Sequence, residues 1–335
     1  MNVRRTNLGL FVALALALAT GTGAVATGSA RGRWIILAHG VAAVAVVLLI
    51  PWKTRIVRYG LRRARPTRWL SLLLAALAVT ALLFGFGYAT GLVRSVGGLA
   101  GMWLHVAAAL ALVPVLLWHV LARPARPRRA DLSRRTALRA AGLAAVAAAL
   151  YATVDLTVRL AGLPGARRRF TGSYEQGSFQ AAAMPATIWL DDSVPEVDPQ
   201  QWRLSLVDGT GRYELTLAQL SASGATLRAT LDCTSGWYAE QDWTGVPVSS
   251  VLRDRRGARS LYVHSITGYA IRFPVEEVDR LFLATGAGGV PLSAGHGYPL
   301  RLVAPDRREY WWVKWVDRIE LRPEPPWWQP PFPIT

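Results

Sequence analysis

The chain contains little sulfur, and its N-terminal half contains little negative charge. Cys233 is the only cysteine among 335 residues, so no disulfide bond can form within the chain. Residues 1–170 contain two acidic side chains, Asp131 and Asp155, and 23 arginines and lysines, whereas residues 171–335 contain 19 acidic and 15 basic residues. The net charge of +17 therefore comes from the first half, which also holds the long apolar runs. Because basic residues beside apolar runs are typical of membrane proteins, we exclude a nucleic-acid partner as the reason for this charge.

Five apolar segments of the first half are each close to the roughly 20 residues that a membrane-spanning helix needs. They comprise residues 8–27, 34–52, 69–90, 99–122 and 137–156. Tryptophans lie near several of their ends, as they do at membrane surfaces. The basic start "MNVRR" also fits a cleaved signal peptide, but because four further segments follow, an uncleaved first helix is the better interpretation. The sequence therefore predicts an all-α transmembrane domain of five helices over residues 1–160.

Basic residues are distributed unequally between the loops that join these segments. The N-terminus and the loops after the second and fourth segments hold 15 arginines and lysines, and the loops on the opposite side hold three. Because positively charged loops remain in the cytoplasm, this pattern places the N-terminus inside the cell and, after five crossings, the C-terminal half outside it. We therefore expect a multi-pass protein of the cytoplasmic membrane, in contact with membrane lipid, with an extracytoplasmic C-terminal domain.

The fifth segment begins with the sequence "LSRRTALRAAGLAAVAAAL". Arg134 and Arg135, followed by a mildly apolar Ala-rich run, resemble a twin-arginine export signal placed inside the chain. The alternative is that both arginines are ordinary cytoplasmic flanking residues. Because the twin-arginine pathway carries folded proteins, the first interpretation points to a domain that takes up a cofactor before export.

Three of the five histidines lie in the apolar segments, at His39, His105 and His119. His105 and His119 are 14 residues apart, which places them on one helix face about 21 Å apart, similar to the stacked haems of membrane cytochromes b. The residue 14 positions after His39 is Lys53, so a second pair is incomplete. His39 and His105 lie at similar depths in their segments, and we predict that they bind one haem b. The alternative is a packing role, although polar residues inside a membrane are costly and tend to be functional.

The second half changes to short runs of alternating apolar and polar residues, such as "WRLSLV", which favour β-strands. The stretch "FPVEEVDRLFLAT", residues 273–285, favours a short amphipathic helix. We predict a linker over residues 161–187, a strand-rich α+β domain over residues 188–322 and a Pro- and Trp-rich tail over residues 323–335.

Two longer blocks carry a resemblance to a known family. The first is "LDCTSGWYAEQDWTGVPVSSVL", which contains the only cysteine, and the second is "GHGYPLRLVAPDRREYWWVKWVDRIEL". In order, spacing and residue type they resemble the molybdopterin-binding domain of the sulfite oxidase superfamily, over about Trp189 to Leu321. The resemblance implies a sulfite oxidase-like α+β fold, fused here to a cytochrome b-like membrane domain, and a molybdenum–molybdopterin cofactor.

The resemblance implies that Cys233 is the catalytic residue and the one protein ligand of molybdenum. A thiolate suits the metal because molybdenum in high oxidation states takes oxo and soft sulfur ligands. The resemblance places five further residues at the cofactor, namely Ser235, Ser265, His296, Arg301 and Lys314. Arg301 and Lys314 suit a cofactor that ends in a phosphate. Without the two blocks, a lone cysteine is better interpreted as a small buried apolar residue, and His264 is interpreted as structural.

The sequence departs from sulfite oxidases at two points. The segment "CTSGWY" lacks the arginine pair with which those enzymes bind their anionic substrate, and an asparagine expected near "SFQAAAMPATIW" is missing. The first departure favours the branch of protein-methionine-sulfoxide reductases and a small or protein-bound S-oxide-type substrate.

Taken together, these patterns predict a membrane-bound molybdopterin-dependent oxidoreductase whose extracytoplasmic domain transfers an oxygen atom. Electrons would pass through the membrane domain to or from the quinone pool or another membrane donor or acceptor. The alternative is a membrane-tethered binding or sensor protein whose domain has lost its metal. The presence of Cys233 disfavours this alternative, because a domain without metal has no need of the residue.

Overall fold

The computed structural model describes residues 3–62, 67–125, 127–188 and 193–329. The predictions that concern Trp189 and residues 330–335 of the tail lie outside these ranges. The chain forms two compact units, one of Met1–Val25 and Ala30–Gly172 and the other of Ala26–Ser29 and Ser173–Thr335.

The first unit contains five long helices, as the sequence predicts. They are α1 (Val3–Ala26), α2 (Arg33–Leu61), α3 (Arg68–Thr90), α4 (Gly101–Ala122) and α5 (Arg134–Leu160). Each is long and apolar enough to cross a membrane. α3 packs against α4, and α2 packs against α5. Large apolar side chains such as Leu83 and Leu121 stay exposed, at 67% and 79%, which suits contact with lipid rather than water.

Two helix ends differ from the apolar segments that predict them. α2 continues past Pro51 to Leu61, and its last turns carry Lys53, Arg55 and Arg58. Hydropathy marks only the part of a helix that suits lipid, whereas arginine and lysine are good helix formers and extend it. α4 begins at Gly101 rather than at residue 99, because Ser95–Val96 (β1) and Leu99–Ala100 (β2) first pair as a short hairpin.

The second unit contains β-sheets and two short helices. Its strands are β3 (Tyr174–Glu175), β4 (Arg203–Asp208), β5 (Gly211–Thr216), β6 (Ala225–Asp232), β7 (Trp237–Pro247), β8 (Ser260–Ser265), β9 (Ala270–Pro274), β10 (Phe282–Ala287), β11 (Val290–Pro291), β12 (Arg301–Val303) and β13 (Val316–Arg322). The helices are α6 (Leu217–Ser221) and α7 (Val248–Val251). The predicted strand-rich α+β fold class is confirmed.

The strands form two sheets. One has the order β11-β10-β7-β3, with β12 also paired to β10 and β6 to β7, and the other has the order β5-β4-β13-β8-β9. The pairs β3–β7 and β4–β13 are parallel, and the remaining pairs are antiparallel. In β4, the alternation that predicts the strand buries Leu204 and Leu206 completely.

The helix predicted over residues 273–285 is wrong for its second half. Val275–Arg280 forms a short 3₁₀ helix, after which Phe282–Ala287 forms β10. Leu283 pairs with residues of both β7 and β12 and is fully buried. A strand buried between two partners carries a continuous apolar run, which periodicity alone cannot distinguish from a helix.

Three connections of the second unit carry four of the predicted C-terminal site residues, and Ser265 is not among them. Cys233 and Ser235 lie in the turn between β6 and β7, His296 lies in the loop before β12, and Lys314 lies just before β13. Arg301 is the first residue of β12.

Candidate functional site

Cys233 occupies the first position of the tight turn between β6 and β7. Its backbone N–H donates to the carbonyl of Trp237 at 2.8 Å, and its own carbonyl accepts from the N–H of Gly236 at 3.1 Å. Gly236 has a φ of +100°, which L side chains rarely adopt. Cys233 is only 1% exposed. The turn therefore holds the cysteine inside the domain in a defined position.

Two hydroxyl groups lie beside the sulfur of Cys233. The Oγ atom of Ser235 is 3.0 Å from Sγ, and the backbone N–H of Ser235 donates to Sγ at 3.4 Å. The Oγ1 atom of Thr187, from a distant part of the chain, lies 3.6 Å from Sγ. The indole N–H of Trp237 donates to the same Thr187 oxygen at 3.2 Å. The sulfur thus lies among groups that can donate hydrogen bonds to it.

The protonation of the free thiol follows from this environment. Burial raises the pKa of Cys233, and the nearby negative charge of Glu309 raises it further. The hydrogen bonds from Ser235 act in the opposite direction and lower the pKa. The free side chain is therefore a thiol at neutral pH, and it becomes a thiolate where a metal cation replaces the proton.

Lys314 forms hydrogen bonds to two separate parts of the domain, the segment of Thr187 and the loop before β12. Its Nζ atom donates to the backbone carbonyl of Thr187 at 2.6 Å and to that of Gly295 at 2.9 Å. Gly297 follows in this loop with a φ of +102°, and a Cβ there would lie 3.1 Å from the Cα and Cβ atoms of Lys314. The close approach therefore requires glycine at this position of the "GHG" motif.

His296 and Arg301 are connected by the same loop. The Nδ1 atom of His296 is 2.7 Å from the hydroxyl of Ser293, and its Nε2 atom is 3.3 Å from the carbonyl of Pro185. Arg301 donates from Nη1 to the carbonyl of His296 at 3.1 Å. Burial lowers the pKa of His296, and the positive charges of Arg301 and Lys314 lower it further, so its imidazole is neutral at pH 7.

Arg301 is a buried cation with unused donors. Its side chain is fully buried, and it forms an ion pair with Glu309, whose Oε1 atom lies 3.6 Å from Nη2. Nε and Nη2 have no hydrogen-bond partner among the residues that the structure describes. Since an unpartnered buried donor is costly and a guanidinium binds phosphate well, an anionic group would satisfy this side chain.

Arg308 and Thr187 are among the residues that contact Cys233 and that sequence reasoning missed. Arg308 is buried, donates from Nη2 to the carbonyl of Cys233 at 2.7 Å, and forms an ion pair of 3.1 Å with Asp232. Asp232 also accepts a hydrogen bond from the hydroxyl of Ser173 at 2.7 Å. Thr187 also contacts Cys233, and no sequence motif marks it. Arg308 lies inside the second sequence block, but nothing in the pattern distinguishes it from the arginine before it.

Ser265 lies apart from these contacts. Its hydroxyl is 3.1 Å from that of Thr267, and its partner residue on β13 is Val316. Within the described part of the chain, no hydrogen bond joins its side chain to the residues around Cys233. The ring of His264, interpreted as structural, lies 4.1 Å from the ring of Tyr262 between centroids, at a tilt of 59°. Its Nδ1 atom lies 3.2 Å from Nη2 of Arg318.

The histidines of the first unit form a separate arrangement. The rings of His39 on α2 and His105 on α4 lie 5.9 Å apart between centroids and are nearly perpendicular, at 84°. The Nδ1 atoms lie 2.9 Å and 2.7 Å from the carbonyls of Ala17 and Ala81, respectively. A carbonyl only accepts, so each Nδ1 carries the proton and each Nε2 carries the free electron pair. His119 is not part of this pair.

Comparison with known proteins gives the family of the second unit. Residues 191–328 match the family described as "Oxidoreductase molybdopterin binding domain". The second unit contains a molybdopterin-binding oxidoreductase domain. The matched range includes Cys233 and the other five residues that the sequence resemblance places at the cofactor.

Individual relatives match parts of this chain. Protein-methionine-sulfoxide reductase catalytic subunit MsrP from Xanthomonas campestris pv. campestris is 33% identical over 29% of this chain and 37% of its own. The uncharacterized oxidoreductase YuiH from Bacillus subtilis is 28% identical over 30% of this chain and 54% of its own. The solved structure of sulfane dehydrogenase SoxCD from Paracoccus pantotrophus covers 39% of this chain and 41% of its own, with 26% identity and a TM-score of 0.36. This chain therefore spans 37% to 54% of the length of these two curated relatives.

The residues around Cys233 fit the cofactor of this family. One buried thiol, Cys233, is available as a single sulfur ligand, and the chain has no second cysteine. The unpartnered nitrogens of Arg301 suit an anionic group. A chain of contacts links the loop that holds Arg301 to the sulfur. It runs through His296, Lys314 and Thr187. The donor set thus offers one soft ligand and buried positive charge, as molybdenum bound to a phosphorylated pterin requires.

Proposed function

We propose that this chain is a membrane-bound molybdopterin-dependent oxidoreductase that transfers an oxygen atom to or from an S-oxide-type substrate, either small or protein-bound. The observation that carries the proposal is the buried thiol of Cys233, the only one in the chain, within a domain of the molybdopterin-binding family. The cofactor, when bound, supplies two-electron oxygen-atom transfer. The metal-free binding or sensor protein is the alternative.

In this proposal, the chain's own residues hold the cofactor and exclude water. Cys233 is the thiolate ligand, Arg301 binds the phosphate, and His296 and Lys314 fix the loops that enclose the pterin. Ser235 donates to the sulfur, and Ser265 is assigned to the cofactor by the family resemblance alone. Burial of Cys233 and Arg301 keeps bulk water from both ends of the site.

The charges around Cys233 favour a neutral S-oxide over an inorganic oxyanion. Arg308 is engaged by Asp232 and by the carbonyl of Cys233, and Lys314 is engaged by two carbonyls. Glu309 adds a negative charge close to the sulfur. The cation that faces Glu309 is Arg301, at 3.6 Å, and this proposal assigns it to the phosphate of the cofactor. An anion such as sulfite would therefore compete with that phosphate, whereas a sulfoxide has no net charge. The similarity to a protein-methionine-sulfoxide reductase points in the same direction.

For the electron supply, we propose that the first unit binds one haem b through His39 and His105 and exchanges electrons with the quinone pool or another membrane donor or acceptor. The adjacent, nearly perpendicular rings support this proposal, because both leave an Nε2 electron pair for a shared iron. Hydrogen bonds from Nδ1 to backbone carbonyls fix the tautomer in the way that is typical of metal-binding histidines. The distribution of basic loops supports an extracytoplasmic position for the C-terminal domain.

The test is metal analysis of the purified full-length protein together with turnover of a methyl sulfoxide by an artificial electron donor. We expect about one molybdenum per chain in the wild type and turnover that is lost in Cys233→Ser, because a serine oxygen replaces the soft sulfur ligand. Wild-type protein without molybdenum would favour the metal-free binding protein. A Cys233→Ser variant with full turnover would contradict the assignment of the ligand.

A further inference from the structure

We propose that Thr187 is a positioning residue for the metal ligand: its hydroxyl donates a hydrogen bond to the Cys233 thiolate and, together with Ser235, raises the redox potential of the bound metal. This inference rests on the proposed function. Thr187 belongs to neither of the sequence blocks that resemble the family, and it lies 46 residues before Cys233.

The position of the hydroxyl is fixed from outside the turn that carries the cysteine. Ser235 reaches the sulfur from within this turn, at 3.0 Å, so its distance changes whenever the turn changes. Thr187 reaches the sulfur at 3.6 Å from a separate segment. The length of its hydrogen bond therefore depends on how the segment of Thr187 is placed relative to the turn that carries Cys233.

The segment of Thr187 is held at this residue and at the residues just before it. The carbonyl of Thr187 accepts from Nζ of Lys314 at 2.6 Å, and the carbonyl of Pro185 lies 3.3 Å from Nε2 of His296. Met184, at the start of the segment, is 4% exposed. The backbone of Thr187 is thus placed by the loops before β12 and β13, and little side-chain entropy is lost when the hydroxyl makes its contacts.

Trp237 determines what the hydroxyl of Thr187 can do. The indole N–H can only donate, and it donates to Oγ1 of Thr187 at 3.2 Å. This bond uses an acceptor site of the oxygen and leaves the hydroxyl hydrogen for another acceptor. A free Cys233 thiol can itself donate to Oγ1, as the 3.6 Å contact allows. A metal-bound thiolate has no proton, so the hydroxyl hydrogen of Thr187 then turns towards the sulfur.

A hydrogen bond to a metal-bound sulfur withdraws electron density from the metal. Such bonds stabilise the reduced, more electron-rich state, and they are known determinants of the potential at metal–sulfur centres. Removing the hydroxyl at constant shape should therefore lower the potential, whereas removing only the methyl group should leave it unchanged.

The test compares Thr187→Val, Thr187→Ser and the control Thr230→Val in the full-length protein. Thr230 lies on β6, three residues before Cys233. The measurements are molybdenum content and the midpoint potentials of the Mo(VI/V) and Mo(V/IV) couples, followed by the Mo(V) electron paramagnetic resonance signal. We expect a negative shift of the potentials and changed g-values in Thr187→Val, with values close to wild type in Thr187→Ser and Thr230→Val.

Unchanged potentials in a molybdenum-loaded Thr187→Val variant would overturn the inference, as would an equal shift in Thr187→Ser. If Thr187→Val takes up no molybdenum, Thr187→Ala decides, since it also removes the hydroxyl but places less apolar bulk beside the sulfur. A negative shift in that variant supports the inference, and unchanged potentials overturn it. Failure of the proposed function is distinguishable, because it shows as wild-type protein without molybdenum or without a Mo(V) signal.

Discussion

The guanidinium group of Arg308 donates a hydrogen bond of 2.7 Å to the backbone carbonyl of Cys233. The same side chain forms an ion pair of 3.1 Å with Asp232, the residue just before Cys233, and both charged groups are buried. One cation thus holds the end of β6 and the first residue of the turn that carries Cys233. A buried ion pair adds little net stability over an apolar pair, but a buried charge left without its partner is costly.

Arg308→Met should therefore destabilise the C-terminal unit strongly. It removes the cation of Asp232, and loss of one partner of a buried pair costs roughly 3–5 kcal/mol. The measurement is thermal unfolding of the purified full-length protein, followed by near-ultraviolet circular dichroism. The control is Arg256→Met, because Arg256 is 92% exposed in its pair with Asp254 and such pairs contribute at most about 1 kcal/mol. Similar melting temperatures for the two variants would contradict the structural role of Arg308.

Arg307 and Arg308 illustrate what the sequence can and cannot predict. Arg307 pairs with Glu277 and remains partly exposed, whereas its neighbour is buried against Cys233. In the sequence the two arginines are equivalent, since only the path of the loop before β13 decides which of them points inward. Thr187 is hidden for a similar reason, because its contact with Cys233 joins two segments that are distant in sequence.

Other features were predictable because one strong constraint determines them. A membrane-spanning helix needs a long apolar run, so the five helices of the first unit follow directly from the sequence. The molybdopterin-binding domain was predictable because its two long blocks have a distinct residue pattern. The strand β10 could not be predicted, because its burial between β7 and β12 removes the alternation of apolar and polar residues that marks an ordinary strand.

The stability of the C-terminal unit should fall in mildly acidic solution because of His264. Burial, together with the positive charges of Arg318 and Arg322, lowers the pKa of His264 from 6.5 to about 4, although Glu320 acts to raise it. The unfolded chain therefore binds the proton first as the pH falls. Stability present above pH 6.5 is lost between pH 6.5 and 4, by roughly 2–3 kcal/mol, and no further loss from this group follows below pH 4.

The measurement for His264 is the melting temperature at pH 7.5, 6, 5 and 4. His264→Gln should flatten the dependence between pH 6.5 and 4, because glutamine keeps a hydrogen-bonding side chain but does not titrate. Part of the slope should remain, since the pKa of His296 is also lowered by burial. An identical slope in wild type and His264→Gln would show that other groups cause the loss.

The orientation of the chain is testable with reporter fusions. An enzyme reporter that works only outside the cytoplasm should be active when fused after Thr335, and a cytoplasmic reporter should be active when fused at Arg128. Replacing both Arg134 and Arg135 with lysine keeps the positive charge but removes the twin-arginine pair. We expect the C-terminal domain of this double variant to remain in the cytoplasm. Normal export would mean that the pair acts only through its charge.

The haem proposal depends on the pair of His39 and His105, and each member should be essential. Both rings have Nδ1 bound to a backbone carbonyl of a neighbouring helix, so both offer Nε2 to one iron. His119 is not part of this pair, and its Nδ1 atom is buried without a hydrogen-bond partner among the described residues. The protein purified from membranes should give a reduced-minus-oxidised spectrum of b type, lost in His39→Ala and in His105→Ala but retained in His119→Ala. Two imidazole ligands predict a six-coordinate, low-spin iron. A wild-type protein without haem absorbance, or a His105→Ala variant that keeps it, would contradict the proposal.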